Sequence, residues 1–364
     1  VNLILGKNGE GKTNLLEALN YLSLGRSHRG AKSEELINFT EQNLYVSLQV
    51  AGESGTTSVF HLGLNREGTR RIRIDEQPLR KTAELIGRLA TVFFDPESIL
   101  LVQGSPARRR NFVDQGMAEI DPIFLSHLTA FQRAHKQKNR LLRDTKKGIL
   151  NTKETRRELA AWNKEMSVHI GAVCRGRKRY TDFIFGFSQT RHNTMIDNEL
   201  KFEFSYLPQM NSAAEYISAG GDKADLKDHF EQEILRELDY IIETEIRRGR
   251  PLAGPQMDDF KVTLEGVDLR VFGSQGETRT AAIALILGRS DVLFEKRHVR
   301  PILFFDDIFS ELDRDRTRRL QEMASRLHQV FVATARLDDV KGWQPPHLKS
   351  WTVDNGSFRE SDTN

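Results

Sequence analysis

The 364-residue chain has one cysteine, Cys174, so it forms no internal disulfide and cannot build a thiolate zinc site by itself. It has no apolar run near the roughly 20 residues a membrane-spanning helix needs, and no hydrophobic leader. Internal repeats and low-complexity linkers are also missing. These absences exclude a disulfide-stapled secreted scaffold, a membrane protein and a solenoid, and they fit a reduced, cytoplasmic setting. Net charge is small as well, +3 from 54 Lys and Arg against 51 Asp and Glu, which says little about partners. What is present, 38% hydrophobic and 29% charged residues, is the composition of an ordinary globular chain of two or three domains. The chain opens at Val1, without Met, directly in an apolar strand at residues 1–5. We read this as a chain lacking its opening segment.

The charge is unevenly spread. Residues 131–180 hold 15 Lys and Arg against 4 Asp and Glu, so the rest of the chain is net negative by eight. A polyanion such as DNA held there would release counterions and dissociate steeply with salt. A solvated helical face is the alternative for any such run. Residues 112–180 read as two long antiparallel helices forming an arm of modest length, without the sustained heptads of a long coiled coil. Before the arm, three alternating runs within residues 44–74, separated by turns, predict an antiparallel meander. After it, residues 262–272 read as strands, residues 278–295 as helix and residues 301–305 as a buried strand.

Gly6-Lys7-Asn8-Gly9-Glu10-Gly11-Lys12-Thr13 matches the phosphate-binding loop G-x-x-x-x-G-K-[ST] at every fixed position, between a strand and a helix that begins at Asn14. Its glycines let backbone N–H groups wrap phosphate oxygens. Lys12 would reach the β- and γ-phosphates of ATP, and the Thr13 hydroxyl would ligate Mg²⁺. The strand Ile302-Leu303-Phe304-Phe305 would deliver Asp306 to the Mg²⁺ shell, and it is expected on the strand adjacent to the loop's own. Asp307 is the candidate general base for the attacking water, with capping of the next element as the alternative.

Lys12 and Asp306 stand 294 positions apart, a separation that small-molecule kinases rarely have. The intervening chain must leave the ATPase core as a domain and return, as in heads of the ATP-binding-cassette class. Such heads carry a further motif at a helix N-terminus, aimed at the γ-phosphate of a neighbouring subunit. Ser274-Gln275-Gly276 has that form, with a plain helix cap as the alternative. Ser310-Glu311-Leu312-Asp313 stands where paired ATP sites are coupled, and Thr334 ends the next strand, where many such ATPases sense γ-phosphate with a His. One loop and one Ser-Gln-Gly per chain imply two copies sandwiching two ATP molecules. The fold class is therefore α/β, an ABC/SMC-type P-loop ATPase head with an inserted, mainly helical arm. Residues 1–111 and 246–364 form the ATPase lobe and residues 112–245 the arm.

These residues resemble the RecF family of bacterial recombination mediators over nearly the whole chain. The resemblance rests on the loop from Gly6 to Asn14, on Phe94-Asp95-Pro96-Glu97, and on Gly104-Ser105-Pro106-Ala107-Arg108-Arg109-Arg110 with Asp114. It continues in Arg248-Gly249-Arg250-Pro251-Leu252-Ala253-Gly254-Pro255, Asp258-Asp259, Ser274-Gln275-Gly276 and the stretch from Asp306 to Asp313. It implies a weak, DNA-stimulated ATPase using ATP and Mg²⁺, with Lys12 and Asp307 catalytic. ATP contacts would come from Gly6 through Asn14, from Ser274, Gln275 and Gly276, and from Asp313 and Thr334; Thr13 and Asp306 would hold Mg²⁺. It also implies a homodimer on ATP, binding to double-stranded DNA near single-strand gaps, and RecO- and RecR-type partners in repair and replication. DNA contacts would fall on Arg108, Arg109, Arg110, Lys136, Lys138, Arg140, Lys146 and Lys147, chiefly to phosphates. Three departures stand out: Gln256-Met257 replaces the family's His-Arg, Glu277 replaces a common Gln, and the opening segment is missing. An SMC-type or transporter ATPase subunit is the competing reading, with a small-molecule kinase behind it.

Overall fold

Asn2–Leu5 (β1) is a strand whose central residues Leu3 and Ile4 are both buried, as the interior of a parallel sheet requires. The structure, a computed structural model, describes residues 1–28, 31–52, 55–219, 227–327 and 329–361. The glycine-rich loop leads into Lys12–Leu24 (α1), which stops on left-handed Gly25. After the single turn Ser33–Leu36 (α2) comes the expected meander of Asn43–Ala51 (β2), Thr57–Asn65 (β3), Arg70–Ile74 (β4) and Gln77–Pro78 (β5), antiparallel in that order. Its inward side chains Phe60, Leu62, Leu64 and Ile72 pack with Tyr21 and Leu22 of α1. Thr91–Phe94 (β6) follows.

The chain then builds a second compact unit, residues 99–193 and 197–292. Leu100–Gln103 (α3) and Pro106–Ile120 (α4) precede two long helices, Pro122–Lys146 (α5) and Thr152–Ile196 (α6). Antiparallel pairing of these two is fixed by Thr145 with Thr155, Lys138 with Asn163 and His127 with His169, at 2.6, 2.9 and 3.0 Å. At 45 residues α6 is about 68 Å long, and it runs on well past Tyr180. Phe202–Leu207 (β7), Asn211–Ser218 (α7), Lys227–Tyr240 (α8) and Ile242–Arg248 (α9) come next. Asp259–Leu264 (β8) and Val267–Asp268 (β9) complete a three-stranded sheet with β7. The strand expected to continue to residue 272 ends at Asp268, whose carboxylate accepts from the Arg270 N–H and starts the short helix Leu269–Phe272 (α10). Gln275–Arg297 (α11) follows.

The first unit, residues 1–98, 194–196 and 293–364, is completed by Ile302–Asp306 (β10), Arg314–Ser325 (α12), Gln329–Thr334 (β11), Lys349–Asp354 (β12) and Ser357–Ser361 (β13). Its sheet runs β13-β12-β1-β11-β10-β6, parallel except for the β12–β13 hairpin. Two expectations change. First, β11 lies between β1 and β10, so the loop strand and the carboxylate strand are not neighbours. Second, the expected boundary at 245/246 would cut the sheet in which residues 202–207 pair with 259–264. The compact units instead divide at 98/99 and 292/293, which leaves Ser274 in the second unit. Among the described residues no helix is long and apolar enough to cross a membrane.

Candidate functional site: a phosphate loop, two carboxylates and a helix-capping serine

The phosphate loop needs its glycines for distinct reasons. Gly9 and Gly11 sit at φ +89° and +101°, in the left-handed region that side chains with a Cβ disfavour, while a Cβ on Gly6 would come within 2.9 Å of the Val353 carbonyl oxygen. Helix α1 begins without a side-chain cap, so its first N–H groups face the loop, ready for an anion. Lys12 is buried, with Nζ donating to the carbonyls of Gly6 at 2.7 Å and Lys7 at 2.8 Å. The β12–β13 turn braces the loop from outside. The Gly356 N–H donates to the Glu10 carbonyl at 3.0 Å, and the Asn355 N–H to the Glu10 carboxylate. No local signal in the sequence links Glu10 to a turn some 345 residues away.

Thr13 and Asp306 meet as expected. The Thr13 hydroxyl lies 3.0 and 2.8 Å from the two oxygens of the buried Asp306 carboxylate. A hydroxyl and a carboxylate are hard oxygen donors, and Mg²⁺ takes one or two such protein ligands with substrate phosphates completing its shell. The residues therefore fit Mg²⁺, and among the described residues no cluster of three or more His, Cys, Asp or Glu offers an all-protein cage. Asp307, at φ +52°, turns out of the strand, and its peptide N–H donates to the Ala333 carbonyl at 2.9 Å. Its Oδ1 is buried without a hydrogen-bond partner among the described residues. Burial raises its pKa, the Asp339 carboxylate adds to the rise, and Lys12 opposes it.

Thr334 is buried at the end of β11, and its hydroxyl lies 3.0 Å from Asp339 Oδ2. Asp339 is thus a neighbour of the site that sequence reasoning missed; only an Asp-Asp pair on the following turn could have hinted at it. Asp313 is the N-cap of α12, accepting from the Arg316 N–H at 2.9 Å. In the second unit, Ser274 caps α11. Its N–H and hydroxyl reach Glu277 Oε2 at 2.8 and 2.7 Å, and the Glu277 N–H reaches back to Ser274 Oγ at 3.3 Å. Thr278 and Thr280 hydroxyls donate to the carbonyls of Ser274 and Gly276, and Gln103 donates to the Thr278 hydroxyl at 3.2 Å. The phosphate loop, Asp306, Asp307, Asp313 and Thr334 therefore belong to one unit and Ser274, Gln275 and Gly276 to the other.

The basic residues divide more sharply than their sequence suggests. Arg109 is 1% exposed; it forms a bidentate pair with Asp259 at 2.7 and 3.1 Å and donates to the carbonyls of Val102 and Gly104. Lys138 is fully buried between Glu245 and Asn163. Neither can meet DNA, which corrects the expectation for both. Arg177, inside the same basic segment, is likewise internal, held by Asp114 and Asp258. Arg110 is half-buried and donates to the Asp258 carbonyl. Arg108, Lys136, Arg140, Lys146 and Lys147 are exposed, although Lys146 also donates to the Arg248 carbonyl. Lys136, Arg140 and Arg143 line one shallow recess of about 450 Å³ on α5, and Arg143 is a basic surface residue the sequence reading passed over.

Comparisons with known proteins bear on the family and the fold. A family model described as the RecF/RecN/SMC N terminal domain matches residues 1–345. The DNA replication and repair protein RecF of Ligilactobacillus salivarius is 30% identical over 365 residues, covering 100% of this chain and 92% of that protein. Its counterpart from Halothermothrix orenii is also 30% identical, covering 98% and 92%. A solved structure of the recombination mediator protein RecF-ATP in the RecFOR pathway superposes with a TM-score of 0.85 at 27% identity, over 99% of this chain and 91% of that one. The Smc head domain of Pyrococcus furiosus, at TM-score 0.53 and 14% identity, shares the fold alone.

Proposed function

The chain belongs to the RecF family, and from that premise we propose that it is an ATP-gated, DNA-binding homodimer acting as a recombination mediator in DNA repair and replication. The carrying observation is the meeting of Thr13 with Asp306 beneath a complete phosphate loop, beside an Asp307 carboxyl whose buried Oδ1 has no hydrogen-bond partner among the described residues. The family's solved ATP complex supports ATP as the ligand. Lys12 would exchange its loop carbonyls for the β- and γ-phosphates. When bound, Mg²⁺ would neutralise phosphate charge between Thr13 and Asp306. Asp307 would accept the proton of the attacking water. Its raised proton affinity, set by burial and Asp339, suits a general base better than an ordinary carboxylate would.

The Ser274 turn lies in a different compact unit from the phosphate loop and is exposed, which suits a phosphate contact made to a second copy. Two chains would then enclose two ATP molecules, and hydrolysis would act as a switch that releases the dimer. DNA would lie along the exposed cations Arg108, Lys136, Arg140, Lys146 and Lys147, through phosphates and with little sequence preference. Double-stranded DNA beside single-strand gaps, partners of the RecO and RecR type, and a cytoplasmic location complete the reading.

Asp307→Asn should bind ATP, hydrolyse it far more slowly and accumulate as a dimer on light scattering, with and without gapped duplex. Ser274→Arg should bind ATP yet stay monomeric. An Asp307→Asn protein that remains monomeric with Mg-ATP and ignores DNA would refute the proposal.

A further inference from the structure

Glu277 Oε2 accepts from two donors on one residue, the Ser274 N–H at 2.8 Å and the Ser274 hydroxyl at 2.7 Å. These are the two donors that a phosphate oxygen arriving at this helix N-terminus would use, because a carboxylate and a phosphate oxygen are both anionic acceptors. The turn is otherwise open, with the Ser274 and Gln275 side chains exposed. We propose that Glu277 is an internal competitor for the phosphate that Ser274 is placed to receive, so that its carboxylate raises the ATP concentration at which two copies associate. The inference rests on the reading that Ser274 serves a second copy's ATP.

The competition has two parts. The Glu277 carboxylate must leave Ser274 before a phosphate oxygen can take its place, and its negative charge remains within a few ångströms of the incoming triphosphate. A Gln at this position can still accept the Ser274 N–H through Oε1 and so keep the helix cap, but it brings no charge. The sign of the effect separates this role from a merely structural one. A capping role predicts unchanged association for Glu277→Gln and weaker association for Glu277→Ala, whereas a competitor role predicts tighter association for both.

The experiment titrates Mg-ATP into the full chain carrying Asp307→Asn, alone and combined with Glu277→Gln or Glu277→Ala. Dimer is followed by light scattering, and nucleotide binding by a fluorescent ATP analogue. The half-point for dimer formation should fall about tenfold in the Glu277→Gln protein, the scale of one charge-assisted hydrogen bond, and fall also in Glu277→Ala. Monomer affinity for the analogue, measured in a Ser274→Arg background, should not change. An unchanged or higher half-point with Glu277→Gln overturns the inference and leaves the proposed function standing. An Asp307→Asn protein that never dimerises overturns both.

Discussion

Replacing Lys138 with Met separates a structural cation from a DNA contact. Lys138 Nζ lies 2.8 Å from Glu245 and 2.9 Å from Asn163 Oδ1, and Asn163 donates onward to Asp239. Both Lys138 and Glu245 have no exposed surface, and burial pulls the Lys138 pKa down while Glu245 opposes the shift. Removing the ammonium strands a buried carboxylate, which keeps the Leu252 N–H at 2.8 Å as a donor. Losing one partner of a buried ion pair costs about 3–5 kcal/mol. Urea unfolding of the second unit should therefore shift by that amount, and a Lys138→Met, Glu245→Leu double replacement should recover most of it. In DNA binding the same variant should keep its salt slope. Lys136→Ala or Arg140→Ala, on the exposed face, should each lower the slope of log K against log salt by about 0.9 while changing stability by less than about 0.5 kcal/mol. Fluorescence anisotropy on a gapped duplex between 50 and 200 mM salt, the range in which phosphate contacts express themselves at about these slopes, reads this directly. A Lys138→Met protein with near-normal stability and a reduced slope would refute the assignment of Lys138 to the interior.

Thr13→Ala removes the hydroxyl that meets Asp306, so ATP affinity should fall about tenfold in Mg²⁺ and change little in EDTA, measured with a fluorescent analogue. Burial pushes the Cys174 thiol from its ordinary 9.0 up to about 12 and raises Tyr180 and Tyr206 as well. Groups held protonated in the folded state contribute fully below the unfolded pKa and lose that contribution as pH rises through the folded one, so the urea midpoint should decline above about pH 9, more gently in Cys174→Ser. The same thiol should resist iodoacetamide at pH 8 until the protein is unfolded. Gly116→Ala would drive a Cβ into the Tyr180 ring and hydroxyl, in the buried packing of α4 on α6; differential scanning calorimetry should show a loss of about 1–3 kcal/mol.

Much of the first unit was legible because its signals are local. The glycine loop, the strand before it and the helix after it lie within 24 residues, and the meander declares itself by alternation at Phe60, Leu62 and Leu64, which do face the core. The arm was legible as helix but not in its extent, since nothing in the composition near Tyr180 marks a stop and α6 continues to a left-handed Asp197. The boundary at residue 245 failed because a change in helical composition is not a change in sheet partner; β7 and β8 pair across it. The short helix α10 was missed because Val267 to Phe272 reads as a β-rich apolar run, and the capping carboxylate of Asp268 overrides that propensity.

The phosphate loop, the strand ending in two carboxylates and the Ser-led helix start can all be read from residue order alone, because each depends on residue type at fixed short spacing. Tertiary structure decided which charges are available. Arg108 and Arg109 are neighbours in sequence, yet one faces solvent and the other is sealed against Asp259; Lys136 and Lys138 divide in the same way. A helix turns about 100° per residue, so adjacent cations point in different directions. Which of them is buried depends on a partner carboxylate more than 100 residues away. Glu277 and Asp339 are the contrast: they stand only three and five residues from the Ser274 and Thr334 hydroxyls they meet, so those contacts are set locally.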